Sequence, residues 1–270
     1  MNSLYDLINR IIESIVSLRM KKGYFIVFEG IDGSGKSEQF RRLTKKLIDN
    51  NFKVIQTKEP TKNLETGKLI NRVLHENEAV SEETLALLFA ADRVEHTKRK
   101  IQPSLESGFI VISDRYVYSS LAYQSKGMEK ELDLDWVRSI NKFAINPDIV
   151  IYLDITAETG QKRLFNGQIR IEDHTYFENI IQQEKIRSVY YDIFDFGKKT
   201  LFDFEDYPKK ISEDFSLYRQ GRTQILRVNG DLSIEEVEKI IFKQISPILK
   251  NKNIKPKSKE PKNQSLTSFK

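Results

Sequence analysis

Short apolar runs alternate with amphipathic segments through most of the chain. Runs with the length and the β-branched or aromatic content of buried strands lie at residues 24–28, 53–57, 109–113, 148–153 and 224–228. Between these runs, apolar side chains recur at helical spacing. Strands that alternate with helices favour an α/β fold, here a doubly wound, parallel five-stranded sheet flanked by helices. Ligands of such sheets bind outside the carboxyl ends of the strands, so we expect the functional residues there.

The alternating pattern covers residues 22–250, which we interpret as one domain. Before it, apolar residues at helical spacing predict an amphipathic helical extension over residues 1–21. Within the domain, a polar and basic stretch at about 163–174 has the layout of a lid, and an aromatic-rich insertion at about 197–223 shows no period that we can assign. The lysine-rich composition of residues 251–270 predicts a disordered tail.

Charge and cysteine content restrict the cellular setting. The net charge is +5, but the tail alone holds six lysines against one acid, so the rest of the chain is formally neutral. We therefore interpret the tail as a solvated end and expect no nucleic-acid partner. The chain has no cysteine, which excludes a disulfide framework and is compatible with the reducing cytosol. No apolar stretch reaches the length of a membrane span, so we expect a cytoplasmic protein without a membrane partner.

The segment after the first apolar run matches the pattern G-x-x-x-x-G-K-[ST] of a phosphate-binding loop. Its eight residues, which we expect to bind ATP, are Gly30, Ile31, Asp32, Gly33, Ser34, Gly35, Lys36 and Ser37. A strand before the loop and a helix after it supply the context of the motif, because backbone N–H groups at a helix N-terminus bind anions. We expect Lys36 to reach the β- and γ-phosphates and Ser37 to ligate Mg²⁺.

Two further motifs indicate a second ligand. Asp114 ends the third apolar run, where a carboxylate can assist Mg²⁺ binding, and Arg115 follows it with a planar fork suited to phosphate oxygens. Phe89 and Arg93 stand four residues apart, hence on one face of a predicted helix. Such a pair can stack on a base and donate to its edge, but alone it is also typical of a core phenylalanine beside a surface arginine.

Taken in order, these motifs resemble those of the thymidylate kinases, which transfer the γ-phosphoryl group of ATP to dTMP. The resemblance is carried by residues 28–37, 58–60, 87–93, 114–116 and 119–124. It implies a P-loop kinase fold and a nucleoside monophosphate kinase domain over residues 22–250. It also implies ATP and dTMP as substrates, Mg²⁺ as cofactor and a homodimer.

The resemblance further implies a role for each matching residue. The acceptor nucleotide would be bound by Asp32, Glu59, Phe89, Arg93, Arg115, Tyr123 and Gln124. Asp32 would hold the sugar 3′-hydroxyl, Phe89 would stack on thymine and Arg93 would contact its edge. Arg115 would bind the acceptor phosphate, Tyr123 would disfavour ribonucleotides by crowding C2′, and Gln124 would lie near the base. Ser37 and Asp114 would serve the metal, with Lys36 and Arg115 as catalytic groups.

Some thymidylate kinases carry an arginine within the phosphate loop, whereas others have glycine there and supply basic groups from the lid. Gly33 places this chain with the second group. The transferred phosphoryl group still needs positive charge, so we expect Arg170 to provide it, with Arg163 as the second candidate.

Two other functions stay open at this point. One is a kinase for another nucleotide or for a deoxynucleoside, although an acceptor without a phosphate would leave Arg115 without its ligand. The other is a nucleotide-binding regulatory paralogue with weakened catalysis. Such a paralogue is expected to have lost Lys36, Asp32 or Arg115, and all three are present.

Overall fold

The computed structural model describes residues 23–76, 78–126, 131–165, 174–196 and 213–251, in which helices cover both faces of a six-stranded sheet. The strands are β1 (Tyr24–Glu29), β2 (Val54–Lys58), β3 (Ile110–Asp114), β4 (Ile149–Asp154), β5 (Phe215–Gln220) and β6 (Thr223–Asn229). The helices are α1 (Lys36–Asp49), α2 (Glu65–His75), α3 (Glu82–His96), α4 (Gln102–Glu106), α5 (Val117–Lys126), α6 (Leu134–Ile140), α7 (Ala157–Leu164), α8 (His174–Phe194) and α9 (Ile234–Asn251), with a π-helical turn, Thr97–Ile101, between α3 and α4.

The strand order is β2-β3-β1-β4-β6-β5. All pairings are parallel except that of β5 with β6. The predicted P-loop α/β fold is confirmed, and each end of its five predicted strands lies within one residue of the observed end. The strand count is corrected from five to six, because part of the aromatic-rich insertion forms β5. This strand pairs back onto β6 through a tight turn at Gly221, whose φ is +58°.

Burial on both faces explains why the strands read as unbroken apolar runs. Every residue of β1 is buried. Tyr24, Ile26 and Phe28 pack on the face covered by α1 and α9, whereas Phe25 and Val27 pack on the opposite face. The phosphate loop between β1 and α1 therefore starts from a strand that is anchored on both sides.

Several predicted segments lie outside the described residues. These are the extension over residues 1–21, lid residues 166–173 with Arg170, insertion residues 197–212 and the tail after residue 251. In the part of the chain that the structure describes, no helix is long and apolar enough to cross a membrane.

Candidate nucleotide-binding site

Carboxylates end or follow four neighbouring strands at the edge of the sheet where the sequence predicts functional residues. Asp32 follows β1, Glu59 follows β2, and Asp114 and Asp154 end β3 and β4. Because parallel strands end at the same edge, the backbone brings these four residues to one side of the sheet, although their side chains have different partners. The backbone N–H of Glu59, for example, donates to the carbonyl of Asp114 at 3.2 Å.

The phosphate loop is held open by backbone conformations that favour glycine. Gly30, Gly33 and Gly35 have φ values of 144°, 76° and 88°. Lys36 folds back over the loop, and its Nζ donates to the Ile31 carbonyl at 2.7 Å and to Ser34 Oγ at 3.3 Å. Burial, together with the nearby positive charge of Arg115, lowers the pKa of Lys36 to about 7.

Packing as well as the positive φ requires glycine at position 33. An added Cβ would lie 2.2 Å from the carbonyl oxygen of Gly160 in α7. Conversely, a Cβ on Gly160 would lie 2.4 Å from the carbonyl oxygen of Asp32. The helix that precedes the lid thus rests directly on the phosphate loop, which leaves no room for a side chain at position 33.

The predicted metal ligands are adjacent. Ser37, in the first turn of α1, donates its hydroxyl to Asp114 Oδ2 at 2.9 Å. Asp114 is almost completely buried at the end of β3. A hydroxyl and a carboxylate provide the hard oxygen ligands that Mg²⁺ prefers, and this ion usually takes waters and phosphate oxygens as its remaining ligands.

Arg115 and Asp32 form an ion pair beside the loop. The guanidinium of Arg115 also donates to Ser119 Oγ at 3.1 Å and to the hydroxyl of Tyr123 at 3.2 Å, and it lies 4.7 Å from the centre of the Tyr123 ring. Burial raises the pKa of Asp32, but Arg115 and Lys36 outweigh it, so that this pKa lies below its usual range. Asp32 is therefore ionised. Asp32 and Arg115, two of the predicted acceptor-binding residues, contact each other beside the phosphate loop.

Arg93 and Glu59, in contrast, pair within the protein interior. Arg93 Nε donates to Glu59 Oε2 at 2.8 Å, and its terminal nitrogens donate to Asn141 and to Ser120. His96 Nδ1 lies 2.9 Å from the other oxygen of Glu59. With exposures of 2% for Arg93 and 3% for Glu59, this pair belongs to the protein interior next to the site.

Three other predicted residues differ in accessibility. Phe89 and Tyr123 are partly exposed, whereas Gln124 is buried. The buried Oε1 of Gln124 has no hydrogen-bond partner among the described residues. A buried acceptor without a donor costs free energy, so this oxygen is suited to receive a donor from a ligand.

Arg163 and Asp154 bind residues outside the phosphate loop, although Gly230, the partner of Arg163, packs next to Ser34 of the loop. Arg163, near the end of α7, donates to the carbonyl of Gly230 at 2.9 Å in the turn after β6. Asp154 binds Arg187 of α8 at 3.1 Å and pairs with Arg227 of β6. A polar cavity of about 330 Å³ lies beside these last three residues. Asp154 therefore anchors α8 to the sheet.

Sequence reasoning missed two polar residues of the site. Gln183, on α8, accepts from the backbone N–H of Asp32 at 3.1 Å and donates to its carboxylate at 3.3 Å. Glu29, the last residue of β1, is fully buried and accepts four hydrogen bonds. An acid in the last position of an otherwise apolar strand was the available signal for Glu29. We find no local signal for Gln183, which lies 151 residues from its partner.

Comparisons with known proteins agree with this geometry. A family model described as thymidylate kinase matches residues 28–215. A probable thymidylate kinase of Pyrococcus horikoshii is 45% identical over 176 residues, which cover 63% of this chain and 82% of the relative. One of Methanococcus aeolicus is 39% identical over 221 residues, 82% of this chain and 95% of the relative. A thymidylate kinase of Staphylococcus haemolyticus is 42% identical over 165 residues, 60% of this chain and 79% of the relative. The chain belongs to the thymidylate kinase family.

Proposed function

We propose that this protein transfers the γ-phosphoryl group of ATP to dTMP, giving ADP and dTDP. The observation that carries this proposal is the Arg115–Asp32 pair beside the phosphate loop. One residue suits an acceptor phosphate and the other a sugar hydroxyl, and both lie next to Lys36. Donor and acceptor groups can therefore be bound side by side, which in-line transfer between two nucleotides requires.

On the donor side, the loop amides and Lys36 would bind the phosphates of ATP. Ser37 and Asp114 would hold Mg²⁺, which when bound neutralises phosphate charge and orients the transferred group. Lys36 has to leave the Ile31 carbonyl to reach the phosphates, and their negative charge would restore its proton.

On the acceptor side, Arg115 would bind the phosphate of dTMP and Asp32 its 3′-hydroxyl. Phe89 would stack on thymine, and Gln124 would use its unpartnered oxygen to accept from the N–H of the base. The phenol of Tyr123 would crowd a ribose 2′-hydroxyl. Because Arg93 and Glu59 bind each other inside the protein, we assign the edge of the base to Arg93 only through hydrogens that its internal bonds leave available.

Positive charge from the lid would complete the site. Arg170 is our first candidate, although it lies outside the described residues, and Arg163 is the second. We expect the change Arg170→Ala to lower kcat by well over tenfold, since a contact to the transition state is removed. Arg163→Ala should have a smaller effect, because this side chain binds the carbonyl of Gly230. A loss below about threefold for Arg170→Ala in steady-state kinetics would remove Arg170 from the mechanism.

An assay of ADP release with each nucleoside monophosphate, and with thymidine, tests the main proposal. We expect dTMP to give the highest kcat/KM and thymidine to give little turnover, because it offers Arg115 no phosphate. Preference for another acceptor would indicate a different nucleotide or deoxynucleoside kinase. ATP binding without turnover of any acceptor would indicate a regulatory paralogue.

We further propose a cytoplasmic homodimer. Leu74 of α2 and Leu87 of α3 are 46% and 49% exposed on helices that pack against each other. Covering such side chains with a second copy would remove apolar surface from water. Sedimentation of the full chain should show a dimer, and the change Leu87→Lys should shift it towards the monomer.

A further inference from the structure

Glu29 joins three elements that surround the site. Its Oε1 accepts from the backbone N–H groups of Tyr116 at 2.9 Å and Ser119 at 3.2 Å, at the start of α5. Its Oε2 accepts from the hydroxyl of Ser119 at 2.6 Å and from that of Tyr190, on α8, at 2.8 Å. One carboxylate thus connects the end of β1 to α5 and α8, immediately before the phosphate loop begins.

The residues that Glu29 binds are the neighbours of Arg115. Arg115 has a φ of +69°, which is unusual for a residue with a side chain, and its backbone N–H donates to the Phe28 carbonyl at 3.0 Å. The next N–H along the chain, that of Tyr116, is bound by Glu29. The side chain of Arg115 donates to Ser119 Oγ, and the Ser119 hydroxyl in turn donates a hydrogen bond to Glu29. Backbone and guanidinium of Arg115 are therefore both held through the same carboxylate.

The charge of Glu29 matters for this arrangement. Four donors converge on its two oxygens, and an ionised carboxylate is the side chain that accepts all of them. Burial raises the pKa of Glu29 above its usual value, and the hydrogen bond from the Ser119 hydroxyl and the nearby charge of Arg115 offset this rise only in part. An amide of the same shape would place an N–H₂ group against some of these donors, and it would remove the negative charge beside Arg115.

We propose that Glu29 is a positioning residue, which holds Arg115 in the orientation that binds the acceptor phosphate. Glu29 itself does not touch the acceptor in this arrangement. The inference rests on the proposed function, because it assumes an acceptor that carries a phosphate. It differs from a role in folding alone, since loss of Glu29 should weaken recognition of the phosphate more than recognition of the nucleoside.

Calorimetric titration of the full-length protein with dTMP and with thymidine separates these two effects. In the unchanged protein, we expect dTMP to bind more tightly than thymidine by about tenfold or more, since a guanidinium–phosphate contact is charge-assisted. In Glu29→Gln, this ratio should fall at least about fivefold, with thymidine affinity falling much less than dTMP affinity, because Arg115 binds the phosphate directly and reaches the sugar only through Asp32 and Tyr123. The KM for dTMP should rise more than the KM for ATP.

Asp148→Asn is the matched control. Asp148 accepts from the backbone N–H of Phe25 at 2.7 Å, just before β4 and thus at the opposite edge of the sheet. This change also converts a hydrogen-bonded carboxylate to an amide, but it should leave the ratio of the two affinities unchanged. Ser119→Ala tests the relay, because it removes the group between Glu29 and Arg115, and it should lower the ratio as Glu29→Gln does.

Tyr190→Phe keeps the experiment decisive if Glu29→Gln does not fold. It removes one donor from Glu29 and should lower the ratio in the same direction, but less. Equal losses of dTMP and thymidine affinity in these variants, or an unchanged ratio, would overturn the inference while leaving the kinase proposal intact. If the unchanged protein bound dTMP and thymidine equally, both proposals would fail, because there would be no phosphate contact to position.

Discussion

Arg93 and Arg115 are the two arginines that the sequence assigns to the acceptor nucleotide, and the structure treats them differently. Arg93 is 2% exposed, and its partner Glu59 is 3% exposed. Arg115 is 19% exposed, and its partner Asp32 is 42% exposed. Both arginines pair with a carboxylate, but the Arg115–Asp32 pair is much more accessible to a ligand than the Arg93–Glu59 pair.

The difference shows how an ion pair can serve structure or ligand binding. A buried guanidinium with an internal acceptor for each nitrogen cannot turn without leaving a buried charge unpaired, which is costly. A guanidinium with an exposed partner can exchange that partner for a phosphate at little cost. We therefore expect Arg93 to determine mainly stability and Arg115 mainly turnover.

The largest expected effect follows the change Arg115→Met. Loss of the guanidinium that we propose for the acceptor phosphate should lower kcat/KM for dTMP by about 10³-fold, the scale of arginine contacts to transferred phosphoryl groups. The free energy of unfolding should change less than in Arg93→Met, because Arg115 and Asp32 are partly exposed, although Arg115 also opposes the cost of burying Glu29. Steady-state kinetics and urea unfolding measured on one preparation check both statements. A large loss of stability with turnover near normal would reverse the comparison.

The complementary change is Arg93→Met, which leaves Glu59 as a buried charge without its main partner. Removing one member of such a pair typically lowers the free energy of unfolding by about 3–5 kcal/mol. The double change Arg93→Met with Glu59→Gln should recover part of this loss, since the uncompensated charge is then absent. Urea unfolding measures both, and a double variant no more stable than the single one would contradict a buried-pair role.

Local sequence patterns predicted much of the fold, and also the phosphate loop with the neighbouring Asp114. The strands bury both faces, so they stand out as apolar runs. The phosphate loop depends on glycines and a lysine within eight residues, and the contact of Ser37 with Asp114 follows from two strand ends at one edge. In each of these cases, neighbouring residues or the parallel topology determine the position of the side chain.

What sequence reasoning missed depends on contacts between distant segments. β5 is a half-exposed edge strand of six residues, so its apolar pattern is weak. The helical face shared by Phe89 and Arg93 does not reveal that Glu59 and Asn141 draw Arg93 inward. Glycine at position 33 is explained by Gly160, which packs against it from α7, and no local pattern shows this contact.

A smaller effect concerns pH and separates the two arginines again. With a pKa of about 7, Lys36 in the free protein is mostly neutral at pH 8 and mostly charged at pH 6. ATP phosphates favour the charged form, so ATP binding should take up a proton at pH 8 and almost none at pH 6. Above pH 7, affinity for ATP should fall by up to about tenfold per pH unit.

Calorimetry in buffers of different ionisation enthalpy measures this proton uptake. Burial is the main cause of the low pKa of Lys36, and Arg115 is the second. The change Arg115→Met should therefore reduce uptake at pH 8, since Lys36 would hold its proton more strongly, whereas Arg93→Met should not. Equal proton uptake at pH 6 and pH 8 in the unchanged protein would show that the pKa of Lys36 does not lie near 7.

The smallest effect is expected for Gln183→Leu, which tests whether Gln183 orients Asp32 of the Arg115–Asp32 pair for ligand binding. Gln183 binds both the backbone N–H and the carboxylate of Asp32, and so orients this carboxylate towards Arg115 and towards the 3′-hydroxyl that we propose it binds. Losing two neutral or singly charged hydrogen bonds should lower kcat/KM for dTMP by about threefold to tenfold. Turnover of 3′-deoxy-dTMP, which lacks the hydroxyl, should fall less. Gln182→Leu, one position earlier on α8, is the control and should leave both substrates unaffected. Equal losses for dTMP and the 3′-deoxy analogue would mean that Gln183 acts on Arg115 or on the fold of α8, and not on the sugar contact of Asp32.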